Sequence, residues 1–209
     1  MTLGEIKSEA LKLMFAEVGE LCEADIDTLK DSADYGVYIR RMNGSINRAL
    51  GRIENAGAVP YKIYRLKEEE AETSYYYAKY DLPALVPDFN RFERLVREMG
   101  YSYNGNAAYC MEGNNVLVLP RMKFNESYTV IYSPRVKRVG EDDPGDSVID
   151  LPEDVLSIIP YFIKGDIFEE EEPNLAINAI ALFEKYLMTL AKKQESQIYA
   201  VTSIYGGCV

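Results

Sequence analysis

The chain has 209 residues, of which 47% are hydrophobic and 27% are charged, a composition typical of a folded globular protein and too apolar for a disordered one. Histidine is absent, which excludes Ser-His and Cys-His nucleophiles, histidine general bases and histidine-ligated metals from this chain. The net charge is −11, and residues 149–209 carry 10 acidic against 4 basic side chains. Because binding to nucleic-acid phosphates needs a basic footprint, this charge disfavours tight binding of DNA or RNA.

The cysteines and the apolar runs limit the cellular setting. Cys22, Cys110 and Cys208 form no CxxC pair, which argues against a zinc knuckle or a redox motif and for free thiols. The segment Met1–Phe15 lacks the basic and apolar regions of a signal peptide. No apolar run approaches the roughly 18 residues that a membrane span needs. We therefore expect no metal, no cofactor and no membrane partner.

The N-terminal third has the pattern of helices. Thr2 and Glu5 form an S/T-x-x-E capping box, and the apolar residues behind them recur at three- to four-residue spacing, which predicts an amphipathic helix. A second, longer helix is predicted to begin with Ser32 as its cap. It is predicted to end in the ENAGAVP segment, where Gly57 suits the left-handed conformation and Pro60 prevents continuation.

The hydrophobic period changes to two after Pro60. The segments YKIYRLK, SYYYAKYD and SYTVIYSP predict strands, and AAYCMEGNNVLVLP predicts a hairpin with its turn at Gly113–Asn115. The segment Asp81–Gly100 contains two prolines and is compatible with either a helix or a strand. Residues 58–148 are therefore predicted to form a small antiparallel β domain, a sandwich or a partly open barrel.

Helical patterns return after residue 148. The segment LPEDVLSIIPYFIKGDIF has Pro152 at an early position and predicts a helix that is kinked at Pro160. Pro173 opens another helix, which is predicted to end near AKKQ. Residues 196–209 alternate weakly, are rich in β-branched side chains and contain a glycine pair, which predicts an extended tail.

The predicted fold class is α+β. Residues 1–57 and 149–195 are expected to pack as a helical bundle, because neither segment can bury its apolar stripe alone. Residues 58–148 form the inserted β domain, whose two ends must lie close together. The extended tail of residues 196–209 is predicted to bind another chain as an added strand, since it cannot bury its own apolar side chains. The residues that carry this prediction are Ile198, Tyr199, Val201, Ile204, Tyr205, Gly206 and Gly207.

A run of four consecutive acids is the first charged candidate for a binding role. Its members are Glu169, Glu170, Glu171 and Glu172. The run has two interpretations, a solvated helix end or an acidic surface that lines a channel and repels passing DNA. It is a poor metal site, because consecutive residues of a helix point around its axis.

A group of four arginines on one predicted helix is the second charged candidate. Its members are Arg40, Arg41, Arg48 and Arg52. These side chains are either solvated or paired with the acidic third segment, within the chain or across a subunit boundary. The sequence leaves both interpretations open.

Two further classes of function stay open on the residues alone. A carbohydrate hydrolase needs paired carboxylates, and Asp142 with Asp143 or Asp25 with Asp27 are the pairs available, although nothing separates them from ordinary surface acids. The tyrosines Tyr75–Tyr77 are compatible with a half-buried strand face, with a protein or glycan contact, or with base stacking. The sequence contains no glycine-rich phosphate loop and no G-x-S-x-G elbow, and we assign no catalytic residue.

Three segments together resemble the head–tail adaptor (connector) proteins of tailed bacteriophages. They are INRALGRI at Ile46–Ile53, the LPEDVLSIIPYFIKGDIFEEEEPNLAINAIALFEKYL block at Leu151–Leu187, and IYGG at Ile204–Gly207. The resemblance covers the helical parts, a little over half of the chain. The β insertion departs from the shortest members of such families.

The resemblance implies a structural virion protein of the head–tail interface, assembled in the host cytoplasm, and not an enzyme. Such proteins form a homo-oligomeric ring, commonly dodecameric, whose C-terminal tails reach onto the portal protein. The other side of the ring accepts a head–tail stopper or tail terminator protein, and DNA passes through the lumen without sequence-specific binding. The alternative is a neck- or tail-associated binding module whose β insertion recognises a protein or a glycan.

Overall fold

The computed structural model describes residues 1–15, 23–99, 102–104, 109–120 and 126–205. The fold is α+β, as the sequence predicted, and the chain divides into two units. A helical unit contains residues 1–58 and 136–192, and a β unit contains residues 59–135 together with the end of the last helix from Lys193. The helices are α1 (Leu3–Met14), α2 (Glu23–Leu29), α3 (Gly36–Asn55), α4 (Leu82–Leu85), α5 (Glu153–Leu156), α6 (Ile159–Ile167) and α7 (Pro173–Tyr205).

The predicted start of α1 and the predicted end of α3 are confirmed. The Glu5 N–H donates to Thr2 Oγ1 at 3.2 Å, and the Thr2 N–H donates to the Glu5 carboxylate at 2.6 Å, which completes the capping box. After α3, Gly57 adopts a φ of 72°, the left-handed conformation that glycine accepts without strain. The start of α3 differs from the prediction, because Ser32 Oγ accepts from the Asp34 and Tyr35 N–H groups and closes a separate turn before the helix.

The helical unit is built on α3. This helix packs on α6, which also packs on α1. Phe162 of α6 meets Phe183 of α7 edge to face with ring centroids 5.0 Å apart, and Phe183 is fully buried. The buried residues of α3 follow helical spacing, as predicted: Ile39, Met42, Ile46, Ala49, Leu50 and Ile53.

The segment around Pro160 is not one kinked helix. A short helix, α5, ends at Leu156, and α6 begins at Ile159 with Pro160 in its first turn. Proline fits this position because the first N–H groups of a helix have no intrahelical acceptor. The apolar pattern therefore continues across a break, and Pro160 starts the second helix instead of kinking a single one.

The prediction of an extended tail is wrong for residues 196–205, which continue α7 to Tyr205. No proline or glycine follows Pro173 until Gly206, so no residue forces the helix to end. Ile198, Val201 and Tyr205 also keep the three- and four-residue spacing of a helix stripe. The prediction gave the β-branched residues too much weight, since each lowers the stability of a helix by only about 0.5 kcal/mol.

The described residues of the β unit form two four-stranded antiparallel sheets, in the orders β1–β8–β4–β5 and β2–β3–β7–β6. The ambiguous segment forms α4 followed by the long strand β4, and the predicted hairpin turn carries Gly113 at a φ of 63°. The strands are β1 (Lys62–Arg65), β2 (Glu72–Thr73), β3 (Tyr77–Asp81), β4 (Phe89–Met99), β5 (Ser102–Asn104), β6 (Cys110–Glu112), β7 (Val116–Pro120) and β8 (Glu126–Pro134).

The two sheets enclose one hydrophobic core. Buried side chains from the first sheet, such as Leu95 and Val130, belong to the same cluster as Leu117 and Leu119 of the second sheet. Tyr80 belongs to this cluster and is fully buried. The first and last strands pair directly, with Lys62 opposite Tyr132, so the insertion enters and leaves through neighbouring strands.

Residues 136–148, which the sequence placed in the β domain, cluster with the helical unit. We call this segment the strap. Glu54, at the end of α3, holds its start: the Val136 N–H donates to Glu54 Oε1 at 2.6 Å, and Arg138 forms an ion pair with the same carboxylate. At the other end, the Leu3 N–H donates to the Ser147 carbonyl at 2.8 Å. Because its backbone groups bond to the helices, the strap belongs to the helical unit and not to the sheets.

Candidate functional site

The acidic run lies between α6 and α7, and all four of its side chains are exposed. Glu169, Glu170 and Glu171 occupy the turn itself, and Glu172 directly precedes the first residue of α7. The Tyr38 hydroxyl donates to Glu171 Oε2 at 3.1 Å. Burial, together with this hydrogen bond, raises the pKa of Tyr38 above its ordinary value.

The exposure of the run is compatible with both interpretations that the sequence left open. The acids stand beyond the last residue of α6, as a solvated helix end requires. The side chains of Glu169 and Glu170 are exposed and make no ion pair with a described residue. The turn therefore presents free carboxylates to solvent, while Glu171 alone is anchored to α3.

The four arginines of α3 divide into two pairs with different partners. Arg48 donates from Nε to Asp166 Oδ1 at 2.9 Å and also bonds the second carboxylate oxygen. This hydrogen bonding raises the pKa of the Arg48 guanidinium. Arg52 pairs with Glu184 of α7 at 2.5 Å. Both pairs join α3 to the acidic third segment within one chain.

Arg40 and Arg41 have no carboxylate partner among the described residues. The Arg40 guanidinium reaches the Lys30 carbonyl at 3.4 Å, a long hydrogen bond. Arg41 and Arg40 both line a cavity of about 680 Å³ in the helical unit. The structure thus separates these two arginines from the two that brace α3.

The long helix α7 exposes apolar side chains on two flanks in addition to its buried stripe. Leu175, Leu182 and Tyr186 share one flank and are each about 40% exposed. Ile177 and Met188 share another flank and are 66% and 63% exposed. A groove of about 650 Å³ runs beside the second flank and is lined largely by apolar side chains of α6 and α7. Exposed apolar surface of this kind is typical of protein contacts.

The residues predicted to bind the portal lie in the last turns of α7 and beyond. Ile198, Tyr199, Val201, Ile204 and Tyr205 are helical. The remaining two residues of that prediction, Gly206 and Gly207, lie outside the described residues. The turns from Lys193 onward cluster with the β unit of the same chain.

Tyr75 and Tyr76 are 79% and 78% exposed and meet edge to face with centroids 4.7 Å apart. They lie between β2 and β3, so the half-buried strand face does not describe them. Tyr77 is 42% exposed. Rigid rings with polar tips in such a position favour contacts with another molecule.

Of the nominated acid pairs, only Asp142 with Asp143 has both side chains described, since the Asp25 side chain lies outside the described residues. Asp143 accepts from the Gly140 N–H at 2.8 Å, and Asp142 lines the cavity of the helical unit. Among the described residues, no three or more Cys, Asp or Glu side chains are grouped so that they could hold a metal ion. No described helix is long and apolar enough to cross a membrane.

Sequence reasoning missed Lys7, Asn43, Asn47 and Asp166. Lys7 lies four residues after Leu3 and four before Leu11, on the apolar stripe of α1, and this placement was the available signal of burial. Asn43 and Asn47 are one helical turn apart and bind the strap. Asp166 gave no signal, because a single acid near a helix end is common.

No protein-family model matches this chain, and no curated protein shows significant sequence similarity to it.

Proposed function

We propose that the protein is a ring-forming head–tail adaptor of a tailed bacteriophage, a virion component that joins the portal to a head–tail stopper or tail terminator protein and surrounds the DNA exit channel. The proposal starts from the resemblance of Ile46–Ile53, Leu151–Leu187 and Ile204–Gly207 to such adaptors. In this role the protein acts by binding its neighbours, and it is assembled into virions in the host cytoplasm.

The observation that supports the proposal most is the pair of exposed apolar flanks on α7. A closed ring needs two different surfaces on each subunit, because head-to-tail contacts are heterologous. The Leu175–Leu182–Tyr186 flank and the Ile177–Met188 flank provide two such surfaces on one rigid element. A monomer would leave both in water, whereas contact between copies would bury them.

The acidic turn supports the channel part of the proposal. All four carboxylates are exposed, and only Glu171 has a hydrogen bond from a side chain elsewhere in the described chain, that from Tyr38. Carboxylates such as Glu169 and Glu170 on the lumen of a ring would repel DNA and keep it from adhering during ejection. The last turns of α7, in place of an extended strand, would then present the portal-binding residues.

The ring is tested by imaging the purified protein, alone and with its portal protein, by negative-stain electron microscopy. Ile177→Glu with Met188→Glu is expected to abolish rings, because each buried contact would acquire a charge. The matched control is Ile63→Glu, an equally drastic change at a side chain of the β unit that is 72% exposed. A wild-type protein that stays monomeric and does not bind the portal contradicts the proposal.

The portal-binding segment is tested separately by deleting residues 196–209. Loss of portal binding with retained helical content is the expected result. If the truncated protein binds the portal as the full chain does, the portal contact lies elsewhere. A ring image in which Glu169–Glu172 face outwards would contradict the channel role alone.

A second candidate function rests on Tyr75 and Tyr76. Their exposure supports a binding module that recognises a protein or a glycan through the β unit. A glycan array probed with the full chain and with Tyr75→Ala/Tyr76→Ala distinguishes this role. Glycan binding that requires both rings, in a protein that forms no ring, would favour the module over the adaptor.

A further inference from the structure

The cavity in the helical unit has an excess of basic side chains. Its volume of about 680 Å³ falls in the range of small-molecule sites. Because Asp166 already neutralises Arg48, the remaining lining groups contain two more cations than carboxylates. This local excess stands out in a chain whose net charge is −11. The basic lining residues are Lys7, Lys30, Arg40, Arg41 and Arg48, and the acidic ones are Glu141 and Asp142.

The wall of the cavity is held in place before any ligand arrives. Asn43 Nδ2 donates to the carbonyls of Gly140 at 2.8 Å and Glu141 at 3.1 Å. Asn47 Nδ2 donates to the Val139 carbonyl at 2.8 Å, and its Oδ1 accepts from the Val139 N–H at 2.8 Å. These bonds fix the strap against α3, so ligand binding would not need to order the wall.

Lys7 is the unusual group at this site. It is 2% exposed as a residue, and it lines the cavity. Burial lowers its pKa, and the charge of Lys30 adds to this effect while Asp27 and Asp143 oppose it. Desolvating an ammonium costs free energy, and an anionic partner in the cavity would offset that cost.

Asn43 provides an unsatisfied polar group. The residue is 8% exposed, and its Oδ1 has no hydrogen-bond partner among the described residues. A buried amide oxygen in this state costs free energy that a donor on a bound molecule would recover. The cavity therefore combines several basic side chains with a buried amide oxygen that lacks a donor.

We propose that this cavity binds a small phosphate-bearing molecule. Arg40 and Arg41 supply planar guanidinium groups that match the oxygens of a phosphate, while Lys7 and Lys30 supply point charges. The inference concerns a single chain and does not depend on the adaptor role.

The experiment is isothermal titration of the full chain with inorganic pyrophosphate, with sodium chloride at matched ionic strength as the reference. Saturable one-to-one binding is expected. Arg41→Gln, an exposed change that leaves the fold intact, and Lys7→Met, which keeps the length of the side chain, should each weaken binding by about tenfold or more. Arg52→Gln removes a cation from the same helix outside the cavity and should leave the affinity unchanged.

The outcomes distinguish a small-ligand site from a general charge effect and from a nucleic-acid surface. No saturable binding of pyrophosphate by the wild-type chain overturns it, as does an equal loss of affinity in all three variants, which would indicate a general charge effect. A titration with a short DNA duplex forms the second arm. Binding of the duplex without binding of pyrophosphate would assign the cations to a nucleic-acid surface and overturn the small-ligand site.

Discussion

Glu54 fastens the strap to α3, and its removal gives the sharpest test of the packing described above. In Glu54→Ala, the Val136 N–H loses a charged acceptor at 2.6 Å in a site where Glu54 is 8% exposed. That bond is worth about 1.5–3 kcal/mol. Arg138 is 44% exposed, so its pair with Glu54 adds only about 0.5–1 kcal/mol. We expect the free energy of unfolding of the helical unit to fall by about 2–4 kcal/mol.

The conservative variant separates the two contributions. Glu54→Gln keeps an acceptor for the Val136 N–H and loses only the charge opposite Arg138, so it should cost about 1 kcal/mol. The measurement is urea unfolding followed by far-UV circular dichroism, with separate transitions fitted for the two units. Glu184→Ala, which removes an exposed pair with Arg52, is the control and should cost about 0–1 kcal/mol. The reasoning is refuted if Glu54→Ala is no worse than this control.

Two further predictions concern close packing and alkaline pH. Gly165→Ala should destabilise the helical unit by about 1–3 kcal/mol, because its new Cβ would lie 2.5 Å from Ile180 Cγ1. Gly44→Ala is the control, since its new Cβ has its nearest contact at 3.6 Å, and it should be neutral or stabilising. Thermal melts of both variants measure the difference. Burial raises the pKa of Tyr80 and of Tyr132 to about 12, with a hydrogen bond to a carboxylate as a further cause for Tyr132. Since the unfolded tyrosines ionise near 10, the β unit should keep this stability below about pH 10 and lose it as the pH rises towards 12. Urea midpoints across this window should fall less steeply in Tyr80→Phe/Tyr132→Phe, and an unchanged slope contradicts the assignment.

The elements that the sequence predicted correctly are those set by local chemistry. The Thr2–Glu5 box, the left-handed Gly57 and the turn at Gly113 each depend on residues within one turn of the chain. The buried stripe of α3 followed from helical spacing alone. These features require no knowledge of distant partners.

The errors have two sources, contacts between residues far apart in sequence and the continuation of a helix that has already formed. The strap was predicted to belong to the β domain, because nothing near Val136 shows that Glu54 accepts its N–H. The last turns of α7 looked like a strand because β-branched residues were weighed against a helix that was already formed, and a helix extends more easily than it starts. The cavity was missed because Lys7, Arg41 and the strap meet only in the folded chain.

The neighbouring positions of β1 and β8 have a bearing on how such a chain can evolve. The β unit leaves and rejoins the helices through paired strands, and Glu54 holds the returning segment. In chain order, residues 59–135 are a large insertion in one loop, and the end of α7 from Lys193 clusters with them. Selection can therefore exchange or reshape the outer parts of this insertion to meet a new neighbour, as long as the end of α7 keeps its packing.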